Sequence, residues 1–278
     1  MGLCGRVGVG RLERLCYRDE EVSATLHVSS YRLRELPCLI LVGGLGTRLR
    51  PVLCDMPKPM APIAGRPFLE YLVRWLRCAG VVEITLCTGY RADKIQEFFQ
   101  SGERLGVRIN YSLEQEPLGT WGAIRQAARD LRNSNFLVLN GDSWLQVDLH
   151  QLFDFHLRAR GIATIAAADV GDASRFGSIQ VDGSWRIVQF TEKQTRDSGL
   201  VNGGVYVFSR DIVANAPTTG VSLEKDIFPV LVPHGIYAMP VRGYFVDIGV
   251  PEEYKRLQGD AKNWIERLAL PKVGGGTC

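Results

Sequence analysis

The sequence predicts a Rossmann-like α/β fold with a mixed, mainly parallel central sheet. Short apolar runs typical of buried strands alternate with segments of helical spacing in the first half of the chain, as in a doubly wound, three-layer αβα domain. The second half is richer in strand candidates and predicts the part of the sheet that is not parallel. A chain of 278 residues, of which 46% are hydrophobic, is long enough for one sizeable core.

The first half alternates predicted strands with predicted helices. The strands are expected at 38–42, 83–88, 108–113 and 135–139, and the helices at 68–78, 92–100 and 122–131. Crossovers between parallel strands are almost always right-handed, and ligands bind at the carboxyl ends of such strands. We therefore expect the loops after Val42, Leu113 and Leu139 to line one crevice.

The second half predicts further strands and one closing helix. The strands are expected at 163–168, 177–181, 187–191, 205–208, 237–240 and 244–247, and the helix at 252–268. Residues 1–36 show no sustained helical or alternating hydrophobic period and are expected to form a flexible extension. The glycine-rich residues 269–278 are expected to form a flexible tail. The predicted domain therefore spans residues 37–268.

Charge and cysteine content exclude several classes of protein. The 33 basic and 30 acidic residues give a net charge of +3, and no block of lysine or arginine indicates a nucleic-acid or lipid surface. The seven cysteines include no CxxC pair, which argues against zinc and favours free thiols in a reducing compartment. No apolar run approaches the ~20 residues of a membrane span, so we expect a cytoplasmic protein.

The strongest local signal is the sequence GGLGTRL directly after the first predicted strand. The backbone N–H groups of Gly43, Gly44 and Gly46 can approach phosphate oxygens closely. Thr47 can donate its hydroxyl, and the Arg48 guanidinium offers a planar set of donors. The spacing fits neither the dinucleotide-binding fingerprint nor the Walker A motif. The segment indicates a phosphate-binding loop, with a turn that uses glycine for geometry alone as the alternative.

Lys58 lies between two prolines. Pro57 and Pro59 restrict the backbone on both sides of a lysine that would otherwise have many accessible conformations. A lysine held in this way suits a phosphate group. The alternative is a surface lysine in a proline-rich turn.

Several motifs in a fixed order resemble the sugar-phosphate nucleotidylyltransferases. They are GGLGTRL at 43–49, KPMAP at 58–62, EPLGT at 116–120, NGD at 140–142, FG at 176–177, EK at 192–193, NGGVY at 202–206, SLEKDIFP at 222–229 and GYFVDIG at 243–249. The resemblance covers roughly residues 38–258, and separated motifs in order are more specific than any one of them. It implies a three-layer αβα nucleotidyltransferase fold.

Members of this family join a sugar 1-phosphate to a nucleoside monophosphate and release pyrophosphate. The stretches RPFLEYL at 66–72 and GYFVDIGVPEEY at 243–254 most resemble the guanylyltransferases that act on D-glycero-α-D-manno-heptose 1-phosphate. The resemblance therefore implies synthesis of GDP-heptose from GTP, for surface polysaccharide or related products. Alternatives are mannose 1-phosphate guanylyltransferase, thymidylyl-, cytidylyl- or uridylyltransferases for glucose 1-phosphate, and a regulatory subunit that binds sugar nucleotides. The sequence leaves open whether the protein forms a homo-oligomer.

The resemblance also implies a role for each matching residue. The catalytic residues are Arg48, Lys58, Asp142, Lys193 and Asp247, with Asp142 and Asp247 as ligands of a Mg²⁺ cofactor. The nucleotide-binding residues are Gly43, Gly44, Gly46, Thr47, Arg48, Lys58, Glu114, Gly119 and Thr120. The sugar-phosphate-binding residues are Asn140, Gly177, Glu192, Lys193 and Asn202. From the residues alone, ordinary turn positions are the alternative for the two aspartates, Gly177 and Asn202, and an exposed pair for Glu192 and Lys193.

Base selection is expected at residues 114–119. A carboxylate or backbone carbonyl there can accept hydrogen bonds from the N1–H and N2–H₂ groups of guanine, a pairing that adenine lacks. Trp121, which follows EPLGT where relatives carry a small residue, indicates either a changed pocket or a core aromatic at the start of a helix. Gln194 is a milder departure from the family pattern, because relatives often carry a proline after the Glu-Lys pair. His150 and His156, on different faces of one predicted helix, are expected to be bystanders at the surface or its boundary.

Overall fold

The computed structural model describes residues 33–44, 46, 49, 53, 55–171, 173, 177–191, 198–219 and 221–268. The predicted extension as far as residue 32 and the predicted tail at 269–278 lie outside these residues. Leu33 and Leu36, at the end of the predicted extension, are buried among the core side chains. The packed domain therefore begins before Pro37, because burying two leucine side chains stabilises the ordered state of this segment.

Strands and helices alternate along the described chain. The strands are β1 (Cys38–Leu41), β2 (Pro62–Ile63), β3 (Arg66–Pro67), β4 (Glu83–Thr88), β5 (Arg108–Leu113), β6 (Asn135–Asn140), β7 (Ser143–Leu145), β8 (Ala163–Val170), β9 (Ser178–Val181), β10 (Ile187–Thr191), β11 (Gly199–Ser209), β12 (Ile236–Val241) and β13 (Phe245–Asp247). The helices are α1 (Phe68–Cys78), α2 (Ala92–Phe99), α3 (Gly119–Ala128), α4 (Leu149–Ala159), α5 (Asp211–Asn215), α6 (Phe228–Leu231), α7 (Pro251–Gly259) and α8 (Ala261–Leu268). Among the helices of the described residues, none has both the length and the apolar character needed to span a membrane.

A nine-stranded mixed sheet forms the centre of the domain. Its order is β10-β9-β11-β6-β1-β4-β5, with β8 paired to β11 and β12 paired to β8. Strands β6, β1, β4 and β5 run parallel, as the βα alternation predicts. Strand β11 pairs antiparallel with β6, β8 and β9, and β12 pairs parallel with β8, so the second half of the chain makes the sheet mixed. The predicted fold class is confirmed.

Buried hydrophobic side chains cover both faces of this sheet. Cys38 and Ile40 of β1 belong to the cluster on one face, and Leu39 belongs to the cluster on the other, because side chains alternate along a strand. Helices α1, α4, α7 and α8 pack on the first face, and α3 and α6 on the second. A strand that is buried on both sides has a continuous apolar sequence, which is why β1 was recognisable.

Most predicted elements are confirmed, but three of them differ from their predicted bounds. Helix α3 begins at Gly119 and not at 122, because the chain enters the helix directly from a glycine with φ of +70°. Strand β11 begins at Gly199 and not at 205, since two glycines within it interrupt the apolar pattern. The predicted helix at 252–268 is two helices, because the chain leaves helical geometry at Asp260, where φ is −109°.

His156 is buried, which corrects its predicted place at the surface or its boundary. Its Nδ1 lies 2.9 Å from Thr164 Oγ1, and its Nε2 lies 3.1 Å from Asn135 Oδ1. Burial lowers the pKa of the imidazole to about 4, so the side chain is neutral at physiological pH. The residue links α4 to β6 and β8 and has a structural role.

Candidate active site

A cleft of about 670 Å³ opens at the carboxyl ends of the parallel strands. The loops after β1, β5 and β6 line it, and this is the crevice expected from the strand order. The loop after β4 also lines it, through Gly89 and Tyr90, a contribution that the sequence interpretation did not include. Of the predicted site residues, those that line the cleft are Gly43, Gly44, Gly46, Lys58, Glu114, Gly119, Thr120, Asn140 and Asp142.

Four predicted site residues lie outside the described part of the chain. They are Thr47, Arg48, Glu192 and Lys193. Gly46 and Leu49, on either side of the first two, line the cleft. The roles of the four residues stay predictions.

Lys58, Asp142 and Asp247 meet at the cleft. Lys58 Nζ lies 2.5 Å from Asp142 Oδ2 and 3.8 Å from Asp247 Oδ1. The Lys58 side chain is only 14% exposed, so its ammonium is largely withdrawn from water, and paired charges attract more strongly there than at an open surface. The structure therefore brings together one cation and two carboxylates, the groups that the resemblance assigns to phosphate and metal binding.

The backbone around Lys58 fixes the direction of its side chain. Pro57 has φ of −65°, and the N–H of Met60 donates to the Pro57 carbonyl oxygen at 2.8 Å, which makes Lys58 the first residue of a 3₁₀ turn. Gly249 lies directly beside the ammonium, because a β-carbon at that position would be 2.2 Å from Lys58 Nζ. A side chain at position 249 would therefore crowd the ammonium in its present place between the two aspartates.

A short pair of strands brings the two aspartates together. Strand β7 pairs antiparallel with β13, which sets Asp247 opposite Ser143. The N–H of Ile248 donates to the carbonyl oxygen of Asp142 at 2.9 Å. Backbone hydrogen bonds therefore bring together two carboxylates that are far apart in sequence.

Glu114 lies on the other side of β1 from Asp142, at the end of β5. Its Oε2 accepts the N–H of Leu118 at 3.0 Å. A β-carbon at Gly43 would lie 2.6 Å from Oε1, so this oxygen sits directly against the glycine-rich loop. Burial raises the pKa of the Glu114 carboxyl, while the Leu118 N–H opposes the rise. The result is an acceptor with a fixed position on the wall of the cleft.

The turn at Gly119 and Thr120 packs against Val221 and Leu223. Gly119 has φ of +70°, and a β-carbon there would lie 2.5 Å from the Val221 carbonyl oxygen. Thr120 Oγ1 accepts the N–H of Leu223 at 2.7 Å, so this hydroxyl oxygen, which was predicted to bind the nucleotide, already holds the neighbouring segment. The two segments form one continuous wall of the cleft.

Trp121 is fully buried and is not among the described residues that line the cleft. Its Nε1 donates to the Pro217 carbonyl oxygen at 3.0 Å, and its backbone N–H donates to the Val221 carbonyl oxygen at 3.1 Å. Of the two interpretations of this residue, the core aromatic at the start of a helix is therefore correct. Trp121 supports the wall of the cleft from behind.

Asn140 and Asn202 are joined through the hydroxyl of Tyr206. Asn202 Nδ2 donates to this hydroxyl at 2.8 Å, and the Asn140 side chain hydrogen-bonds the same group. Burial, followed by the nearby charge of Glu224, raises the pKa of Tyr206 well above its ordinary value, so the phenol stays protonated. Asn140 Oδ1 is buried and has no hydrogen-bond partner within the described residues. Asn202 and Gly177 do not themselves line the cleft as far as the structure describes it.

Glu224 is a cleft residue to which sequence reasoning gave no role. It belongs to the π-helical turn Leu223–Ile227, inside the motif SLEKDIFP. The motif contributed to the family resemblance, but no spacing or neighbouring residue singled out this carboxylate from the others in the chain. Tyr206, in the motif NGGVY, was missed for the same reason.

Known proteins match most of the chain. The family model described as nucleotidyl transferase matches residues 38–263. The D-glycero-alpha-D-manno-heptose 1-phosphate guanylyltransferase of Aneurinibacillus thermoaerophilus is 37% identical over 233 residues, which cover 83% of this chain and 100% of the relative. The mannose-1-phosphate guanylyltransferase of Mycobacterium tuberculosis is 40% identical over 232 residues, which cover 81% of this chain and 64% of the relative.

A solved structure agrees with these matches. The crystal structure of HddC from Yersinia pseudotuberculosis complexed with GMP-PN is similar with a TM-score of 0.73 and 34% identity, over 82% of this chain and 100% of that chain. The resemblance seen in the motifs is thereby confirmed, and the chain belongs to the nucleotidyl transferase family.

Proposed function

We propose that the protein transfers GMP from GTP to D-glycero-α-D-manno-heptose 1-phosphate and releases GDP-heptose and pyrophosphate. The observation that carries this proposal is the Lys58 ammonium between the carboxylates of Asp142 and Asp247 in the cleft. Such a cluster suits a reaction that depends on positioning and charge neutralisation of phosphates. Two heptose 1-phosphate guanylyltransferases that are 37% and 38% identical to this chain support the choice of the heptose as the sugar. The GMP-PN complex of HddC supports the choice of guanine as the base.

The nucleophile in this reaction is the phosphate of the sugar 1-phosphate. Its second pKa is about 6, so it is mostly ionised at neutral pH and needs no general base from the protein. It attacks the α-phosphorus of GTP, and pyrophosphate leaves with the electron pair of the broken P–O bond. Lys58 places one positive charge beside the triphosphate, and Arg48 and Lys193 would add two more.

Asp142 and Asp247 have the chemistry to hold Mg²⁺. Their oxygens face the same ammonium, so two hard oxygen ligands already converge on one cation. Within the described residues no group of three acidic, histidine or cysteine side chains could hold a metal. Two carboxylates suit Mg²⁺, which commonly takes one or two of them together with substrate phosphates. When bound, Mg²⁺ would neutralise phosphate charge, and Lys58 could then bind phosphate oxygens directly.

Glu114 is suited to select guanine. Guanine presents the N1–H and N2–H₂ donors on one edge, and a fixed carboxylate accepts from such donors, whereas adenine has no matching pair. The Leu118 N–H and the contact with Gly43 hold the carboxylate in place. A positioned acceptor discriminates between bases more sharply than a mobile one, because its orientation does not have to be fixed on binding.

Mannose 1-phosphate is the second candidate sugar, because a mannose-1-phosphate guanylyltransferase is 40% identical to this chain. A regulatory subunit has less support, since Lys58, Asp142 and Asp247 are all present and in contact. We also propose that the protein acts in the cytoplasm, where GTP is available and where Cys38 and Cys87, which are buried and form no disulfide, would remain thiols. Its product would then serve the synthesis of surface polysaccharide.

The proposed reaction is tested by pyrophosphate release with Mg²⁺. GTP, CTP, ATP, UTP and dTTP are each combined with D-glycero-α-D-manno-heptose, mannose and glucose 1-phosphates. We expect the highest kcat/KM for GTP with the heptose. A different preferred pair would overturn the specificity, and a folded protein that is inactive with every pair would favour the regulatory alternative.

Lys58→Gln should have opposite effects on turnover and on metal binding. Loss of one positive charge beside the reacting phosphates is expected to lower kcat/KM by about 100-fold. The free protein should bind Mn²⁺ several-fold more tightly, because two carboxylates lose the cation that they share. Calorimetry and steady-state kinetics measure both effects, with Lys94→Gln, an exposed lysine of α2, as the matched control. Unchanged Mn²⁺ affinity together with normal turnover would contradict the proposed role of Lys58 in the reaction.

Glu114→Gln should weaken GTP binding and remove part of its pH dependence. The ionised carboxylate is the form that accepts from guanine, and burial raises its pKa. As the pH is lowered, the KM for GTP of the wild type should therefore begin to rise at a higher pH than it would if Glu114 had the pKa of an ordinary glutamate. The variant should have a KM about tenfold higher at neutral pH and a flatter profile. Glu97→Gln, an exposed glutamate of α2, is the control. Parallel profiles for the variant and the wild type would exclude Glu114 from base recognition.

A further inference from the structure

Glu224 is held in the wall of the cleft by its backbone neighbours. The N–H groups of Val221 and Ser222 both donate to Asp226 Oδ2 at 2.8 Å, and the N–H of Leu223 donates to Thr120 Oγ1 at 2.7 Å. The segment that presents Glu224 is therefore fixed on both sides. Single π-helical turns such as this one occur frequently at functional sites.

The carboxylate of Glu224 has few partners of its own. The hydroxyl of Ser222 donates to its Oε2 at 3.3 Å, and no ion pair with it occurs in the part of the chain that the structure describes. A carboxylate offers about four acceptor positions, so Glu224, which lines the cleft, has acceptor capacity left for a ligand there. Lining a cleft and half-buried, it gains most from a ligand that brings hydrogen-bond donors.

The surroundings of Glu224 indicate which ligand groups it meets. Glu224 and Asn140 line the same cleft, and the charge of Glu224 acts on the Tyr206 hydroxyl that Asn140 and Asn202 share. Asn140 Oδ1 is a second acceptor there without a partner in the described residues. A carboxylate repels phosphate oxygens but accepts from hydroxyl groups, and a polyhydroxylated sugar ring supplies several of them.

We propose that Glu224 accepts hydrogen bonds from ring hydroxyls of the sugar 1-phosphate and is a residue that determines sugar selection. This inference rests on the transferase function proposed above. It adds a binding residue from the C-terminal half of the chain, and the wall that carries it also contacts the turn at Gly119 and Thr120. Sugar recognition and nucleotide recognition would thus share one wall of the cleft.

The test is Glu224→Gln, which keeps the size of the side chain and replaces one acceptor oxygen by a donor. The wild type is first assayed with each sugar 1-phosphate, and the variant is then compared with it on the preferred sugar. We expect the KM for this sugar to rise about tenfold or more, with the KM for GTP unchanged within about twofold. Glu266→Gln, an exposed glutamate of α8, should match the wild type in both constants.

Deoxy analogues identify the hydroxyl and separate the sugar from the ribose. The wild type should discriminate against the sugar 1-phosphate that lacks the contacted hydroxyl, and the variant should lose most of that discrimination. An unchanged KM for the sugar would overturn the inference. It would also be overturned if the KM for GTP rose instead and the variant no longer distinguished GTP from 2′-deoxy-GTP, because Glu224 would then contact the ribose. A wild type that prefers another sugar overturns only the heptose assignment, since Glu224 is tested on whichever sugar is used.

Discussion

The Lys58 ammonium between Asp142 and Asp247 is the contact on which the rest of the site depends. The proline-flanked turn supplies the lysine, the end of β6 leads to one aspartate, and the end of β13 supplies the other. Two carboxylates this close to one another would repel if no cation lay between them. The lysine therefore stabilises the arrangement in the absence of metal, and it occupies the place where phosphate and metal charge would meet during the proposed reaction.

The cleft carries more negative charge than an anionic substrate would ordinarily favour. Glu114, Glu116, Asp142 and Glu224 line it, and Asp247 joins them through Lys58. Under the proposed function four of these carboxylates face a donor or a cation: Glu114 the edge of the base, the two aspartates Mg²⁺ and Lys58, and Glu224 the sugar hydroxyls. Cations would thus concentrate at the phosphates, with acceptors on either side. This distribution would orient the substrate along the cleft as well as bind it.

Sequence patterns predicted the parts of this site that lie next to regular strands. The ends of β1, β5 and β6 were identifiable because central parallel strands are continuous apolar runs, and the residues after them line the cleft. The approach of Asp142 and Asp247 to the same lysine depends on the pairing of β7 with β13, two strands of three residues, which no local pattern specifies. Only the family resemblance placed the two aspartates together. The roles of Tyr206 and Glu224 depend on which side chains surround them, so no sequence period could indicate them. The sequence also could not decide the place of Trp121, because an aromatic residue beside a binding motif is equally compatible with the pocket and with the core behind it.

The most direct test is a crystal structure of the protein with Mn²⁺ and a non-hydrolysable analogue of GTP. Anomalous scattering locates the Mn²⁺ ion without assumptions about its ligands. We expect one ion bound by the carboxylates of both Asp142 and Asp247 and by phosphate oxygens, with Lys58 Nζ moved from the aspartates to the phosphates. An ion held by phosphate oxygens alone, with Lys58 still between the two aspartates, would contradict this expectation.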